Sequence, residues 1–270
     1  MSYESPEVPP ILPPVYDEAV IREARTEARF IQRLRSNRPM ATMGIIAVCA
    51  AVFGLECLWA DMGESSDGLI NMGAMVGVAV RDGEWWRLWA ATFLHIGVLH
   101  IVMNMMVLWS LGRQMEAIYG WRRFLILYAL AGLAGSIPFL LVDQEVVCAG
   151  ASGAIWGLLA GMYALTLRPQ GLMPRGIAGR LRGRLVQPLI INLAISFLPG
   201  IGLFAHLGGG VAGFVIVFSG ILGGEAEETP HFSNSVTWAG QWTTWAAAML
   251  GTAMVISVAW AIWAGQPWAQ

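Results

Sequence analysis

Residues 146–167 read VVCAGASGAIWGLLAGMYALTL. The stretch is uncharged, and as an α-helix rising about 1.5 Å per residue it would reach about 33 Å. An apolar bilayer core is about 30 Å thick, so one such segment suffices to cross it. Gly153, Gly157 and Gly161 recur at every fourth position, which places them on one helix face as a small-residue stripe suited to close helix packing. Ser152, in Gly150-Ala151-Ser152-Gly153, stands at the head of that stripe. The remaining question is how many comparable segments flank it.

Outward from this segment, the same criterion marks 40–60 (interrupted only by Glu56), 88–112 and 124–142 on the N-terminal side. On the C-terminal side it marks 185–224 and 238–265. The 40 uncharged residues of 185–224 are too many for one crossing, and Pro199-Gly200-Ile201-Gly202 divides them into a fifth and a sixth span. The chain therefore reads as an all-α membrane protein with seven transmembrane spans. Composition agrees. Only 13% of the 270 residues are charged and 56% are hydrophobic, against about 25% charged in soluble domains. An ordinary cytosolic enzyme and a disordered chain are both excluded. Cys49, Cys57 and Cys148 are too few and too scattered for a disulfide framework or a metal cluster.

The cationic residues are all Arg, 16 in number, and they are unevenly placed. With the N-terminus in the cytoplasm, fourteen fall on the inner side and only Arg81 and Arg87 on the outer side, as the positive-inside rule requires. Residues 1–39 are then a cytoplasmic segment, Pro-rich and extended to about residue 14. Over 17–35 they read as a polar helix with Arg22, Arg25, Arg29 and Arg33. That helix either lies on anionic headgroups or is simply solvated. No apolar stretch lies within the first 30 residues, so no cleavable secretory signal is expected. Residues 40–224 form a six-span core, 225–237 an inner loop, and 238–270 a seventh span with a short tail. The expected location is a bacterial plasma membrane.

Ionisable and amide side chains inside apolar spans are costly and mark function. His95, His100 and Asn104 fall in the second span, Ser152 in the fourth, and His206 at the start of the sixth. His100 and Asn104, four residues apart, share a helix face. This topology carries all of them to the outer part of the membrane. A Ser hydroxyl becomes nucleophilic when a neighbouring base takes its proton, and His206 can be that base. His100, Asn104 and the backbone N–H of Ser152 can serve a developing oxyanion. No acidic residue in spans four to six is available to orient the His, so the set predicts a dyad. Gly209 and Gly213 form a second small-residue stripe, so spans four and six can pack face to face and bring Ser152 and His206 together.

These residues resemble the rhomboid family of intramembrane serine proteases. The likeness rests on Trp86-Arg87 in the first outer loop and on His95, His100 and Asn104 in span two. It continues with Gly150, Ser152 and Gly153 in span four, and with Ala205-His206, Gly209 and Gly213 in span six. They run in the family's order across 40–224. The resemblance implies a rhomboid-like six-helix bundle with one extra C-terminal transmembrane helix flanking it. It implies Ser152 as nucleophile, His206 as general base and His100 and Asn104 as oxyanion donors. Gly150 would allow close backbone approach, and Arg87 would belong to a structural loop in the outer leaflet. Family members often carry Tyr one turn after the nucleophile, packed on the catalytic His. Here Trp156 stands there, and an indole can do the same.

His95 reads as an orienting group at the entrance to span two. A His95–His100 metal site lacks a further ligand, and Cys148 reads as a buried or lipid-facing thiol. Trp85, Trp86, Trp238, Trp242 and Trp268 read as interfacial anchors. Two rival functions make different demands on these residues. An inactive relative that binds transmembrane helices would lack the Ser or the His. A small-solute transporter would continue its polar residues through the inner halves of spans four and six, which are apolar. The expected partners are the bilayer and single-span membrane protein substrates, cleaved at a small residue near the outer boundary. No nucleic acid, cofactor or metal is expected.

Overall fold

The computed structural model describes residues 17–141, 146–198, 200–223 and 238–264. The tail of the chain, the 225–237 loop, His231 and Pro199 lie outside the described residues, as does the stretch before residue 17. The described residues are helical, with one antiparallel bridge between Met75 and Cys148 and no strand. The helices are α1 (Glu18–Ser36), α2 (Met40–Trp59), and the short α3 (Ser66–Asn71), α4 (Gly77–Arg81) and α5 (Arg87–Ala90). They continue as α6 (Val98–Ser136), α7 (Ser152–Leu167), α8 (Arg175–Ile195), α9 (Leu203–Ser219) and α10 (Trp238–Ala264). Three helical stretches, 18–59, 98–141 and 243–264, are long and apolar enough to cross a membrane, while α7 and α9 are apolar but shorter.

α1 does not stand alone in solvent. Phe30 is buried, Arg33 donates to Ile118 O at 3.2 Å, and Glu27 pairs with Arg180 of α8 at 2.7 Å. α2 begins on a buried carboxylate. Glu116 accepts from Ala41 N–H at 2.9 Å, Thr42 N–H at 2.8 Å and Thr42 Oγ1 at 2.7 Å. The first N–H groups of a helix have no intrahelical acceptor, and a carboxylate there also complements the helix dipole.

The second and third expected spans are two helices that follow one another within α6 and meet at a sharp break. α6 runs through the predicted inner loop at 113–123 and breaks at Gly120, whose φ of +77° and ψ of 158° are not helical. A straight helix of 39 residues would extend about 58 Å. Instead Ser136 Oγ donates to Leu88 O at 2.9 Å, so the half at 121–136 folds back beside the half at 98–119. Hydropathy counts charges, and Arg113, Arg122 and Arg123 mark a polar helix end as readily as a loop.

The centre of the molecule is the seam between α7 and α9, flanked by α6. A Cβ on Gly209 would fall 2.0 Å from Gly153 O, and one on Gly213 would fall 2.1 Å from Gly157 O. A Cβ on Gly153 would lie 3.2 Å from Ala205 O. Only glycine lets these backbones meet, which is the small-residue contact that substitutes for a hydrophobic driving force in lipid. α8 starts ten residues before the expected fifth span, because its Arg-rich first half is helical too. α10 packs against α5 and α6. Its Trp260 meets Trp86 edge-on at 6.1 Å, and its Ala261 would lie 2.5 Å from a Cβ on Gly73.

Candidate active site

The expected fourth span is a 16-residue helix that starts at Ser152, six residues later than hydropathy suggests. The reason lies in the segment before it. Met75 N–H donates to Cys148 O at 2.8 Å, Cys148 N–H donates to Met75 O at 3.0 Å, and Gly150 N–H donates to Ala91 O at 2.9 Å. These bonds hold 148–150 extended against the 60–97 connection between α2 and α6 and leave Ser152 in the first turn of α7.

Gly150 has φ +135°, a backbone conformation that disfavours side chains. A Cβ there would fall 2.7 Å from His100 Cε1, 3.0 Å from His100 Nε2 and 3.6 Å from Asn104 Nδ2. Two side-chain donors from α6 thus close on the backbone two residues before Ser152. Ile96 N–H donates to His100 Nδ1 at 3.2 Å, so the neutral imidazole carries its proton on Nε2. Asn104 is buried at 7% exposure, and its Nδ2 has no hydrogen-bond partner among the described residues.

His206 lies in the first turn of α9. Its ring stacks on Trp156 with centroids 5.5 Å apart and planes inclined by 24°. Trp156 is four residues after Ser152 and shares its helix face, so the His206 ring packs against the face of α7 that carries Ser152. Among the described residues no hydrogen bond joins Ser152 to His206. The ring's Nδ1 instead lies 2.6 Å from Ser196 Oγ, at the end of α8.

His95 departs from expectation. It lies ahead of α6, in the extended link that follows Leu94, and not within a span helix. The cause is Glu56 of α2, whose carboxylate accepts the His95 N–H at 3.0 Å and anchors that link to α2. The His95 ring is buried. Its Nδ1–H donates to Phe93 O at 3.2 Å, and its edge meets the His100 ring at 5.4 Å. Arg87 is almost buried and laces the 60–97 connection together. It donates to Ile70 O at 2.6 Å and Ala74 O at 2.9 Å and pairs with Glu84.

Ser152, Gly150, His100, Asn104, His206 and Trp156 therefore gather at one end of the α6–α7–α9 packing, and Arg87 and His95 brace the elements behind them. Gly153, Gly209 and Gly213 lie in the seam beneath. A cavity of about 20 Å³ opens beside Gly150, bounded by Met75, Ala91, Gly135, Gly153 and Ala205. Among the described residues no three His, Cys, Asp or Glu side chains gather where a metal could bind. Sequence reasoning missed Glu56, Glu116 and Ser196. The two carboxylates were visible as acidic residues in or beside apolar segments, a signal of buried pairing. Ser196 has no such signal, since a serine near a helix end is commonplace.

Comparison with known proteins agrees with this architecture. The family model of the Rhomboid domain matches residues 82–222, just over half of the chain. RHOMBOID-like protein 1 of Arabidopsis thaliana is 37% identical over 158 residues, covering 58% of this chain and 40% of that protein. Rhomboid protease GluP of Bacillus subtilis (strain 168) is 34% identical over 194 residues, covering 71% of this chain and 36% of that protein. The chain thus spans well under half the length of either relative. The apolar helices and the matched domain describe a multi-pass integral membrane protein, and by this match the chain belongs to the rhomboid family.

Proposed function

We propose that this protein is an intramembrane serine endopeptidase that cuts transmembrane segments of single-span membrane proteins near their outer end. The observation that carries the reading is the convergence on Gly150. Its backbone is pressed against His100 Nε2 and Asn104 Nδ2, two residues from Ser152. Asn104 Nδ2 is buried without a partner among the described residues. A buried donor left unpaired costs about 1–3 kcal/mol, which a substrate oxyanion would recover.

In this reading Ser152 Oγ attacks the peptide carbonyl and His206 Nε2 takes its proton. His100 Nε2–H, Asn104 Nδ2–H and a free N–H of the first α7 turn receive the oxyanion. His206 then protonates the leaving amine, and water releases the acyl group from Ser152. The 16 residues of α7 reach about 24 Å, short of the apolar thickness of about 30 Å. With the inner end of α7 at the inner boundary, Ser152 sits a few ångströms below the outer one. A helical substrate hides its peptide bonds in its own hydrogen bonds, so it must unwind locally to present one. The small cavity beside Gly150 suits a small side chain at the cut. The N-terminus faces the cytoplasm in this arrangement, and the plasma membrane of a bacterium suits it.

The test is a fluorophosphonate probe applied to membranes carrying wild type or Ser152→Ala, with mass spectrometry of the products from a transmembrane test peptide. Labelling of wild type alone, with a cut near the peptide's outer end, supports the reading. Equal labelling of both proteins would remove Ser152 from the nucleophile's role.

A further inference from the structure

The base in a serine mechanism needs its proton on the nitrogen that faces away from the serine. In the triad enzymes a carboxylate enforces this, and losing it costs about 10⁴ in rate. Spans four to six of this chain contain no carboxylate, yet His206 is not unsupported. Its Nδ1 lies 2.6 Å from Ser196 Oγ. Ser196 is 1% exposed and His206 8%.

The direction of that bond follows from the other contact of Ser196. A hydroxyl has one proton and two lone pairs. Ser196 Oγ donates its proton to Asn192 O at 2.7 Å, the i−4 bond that Ser habitually makes in helices. With the proton so engaged, Oγ can only accept from the imidazole. We propose that Ser196 is the positioning residue for His206. It holds the ring as the Nδ1–H tautomer, with the Nε2 lone pair turned toward Ser152 and the indole of Trp156 against one face. A helix-end hydroxyl of α8 thereby does in this chain what an acid does elsewhere, and the catalytic base is tied to a third helix.

This inference rests on the proposed peptidase activity, but one of its tests does not. The full chain in detergent micelles is compared as wild type, Ser196→Ala and Ser196→Thr. With ¹⁵N-labelled histidine, the signal lost in His206→Ala identifies that ring. Ser196 as positioning residue gives an Nδ1–H pattern in wild type and Ser196→Thr, and a shift toward Nε2–H in Ser196→Ala. An Nε2–H pattern in wild type, or no change in Ser196→Ala, overturns the inference even if the protein cuts nothing. In the activity arm, Ser196→Ala lowers kcat and the rate of fluorophosphonate labelling about 10-fold, the scale of one neutral hydrogen bond. KM stays unchanged, and Ser196→Thr remains within about 3-fold of wild type. Wild-type kcat in Ser196→Ala, or equal losses in both variants, overturns it. An unlabelled wild type defeats the peptidase reading and leaves the histidine signal to judge Ser196.

Discussion

His206 lies face to face with Trp156, their ring centroids 5.5 Å apart and their planes 24° from parallel. The indole comes from the helix that carries Ser152 and the imidazole from the helix that crosses it. In the proposed mechanism the contact therefore sets how far His206 can swing from Ser152. Aromatic stacking of this kind contributes about 0.5–1.5 kcal/mol. Trp156→Ala should lower turnover about 3- to 10-fold, and Trp156→Tyr should keep most of it. Steady-state cleavage of one transmembrane test peptide by the three proteins checks this.

Asn104 separates activity from stability. Replacing it by Leu, similar in size and without polar atoms, removes the proposed oxyanion donor and should cut kcat by about 10²–10³. The same change removes a buried amide nitrogen that has no partner among the described residues. Thermal unfolding in micelles should therefore show a midpoint no lower than wild type. A lowered midpoint would mean that the amide is paired in the resting protein.

Gly150 should tolerate no side chain. At φ +135° a residue such as Ala carries strain of about 1–3 kcal/mol, and its methyl would strike the His100 ring. Gly150→Ala should lose both fluorophosphonate labelling and peptide cleavage. Unimpaired labelling would show that the approach of His100 to the 148–150 segment is not needed for Ser152 to react.

The α7–α9 seam makes a prediction about folding. A Cβ at Gly213 would meet Gly157 O at 2.1 Å, so Gly213→Val should force the helices apart and destabilise by about 1–3 kcal/mol or more. Gly251 of α10 has nothing within 4 Å of its would-be Cβ, and Gly251→Val should leave the unfolding midpoint where it is. Equal effects from the two variants would contradict the close packing.

Much of the molecule was legible as sequence because lipid reduces the choice of spanning structure to helices and closed barrels. An uncharged run of suitable length therefore has a nearly unique reading. α2, α9 and α10 begin and end close to where hydropathy puts them. The same rule misplaced the starts of α6 and α7. Hydropathy records which residues can be in lipid, not which backbone atoms are already engaged. His95 N–H is taken by Glu56 and Cys148 N–H by Met75. Bonds across 39 residues and more than 70 residues of chain leave no trace in a sliding window.

Composition and hydropathy alone were enough to put this chain in a membrane and to single out a serine, three histidines and an asparagine in apolar stretches where such groups are costly. Those conclusions follow from transfer energies and helical periodicity, which are local properties. Which groups touch follows only from the packed fold. It stacks His206 on Trp156 and brings His100 and Asn104 against Gly150. It puts Ser196 on Nδ1 of His206, where sequence alone left that nitrogen without a partner. Such pairings depend on how closely backbones approach, to within tenths of an ångström at glycines such as Gly153 and Gly209, and that distance is fixed by all the packed helices together.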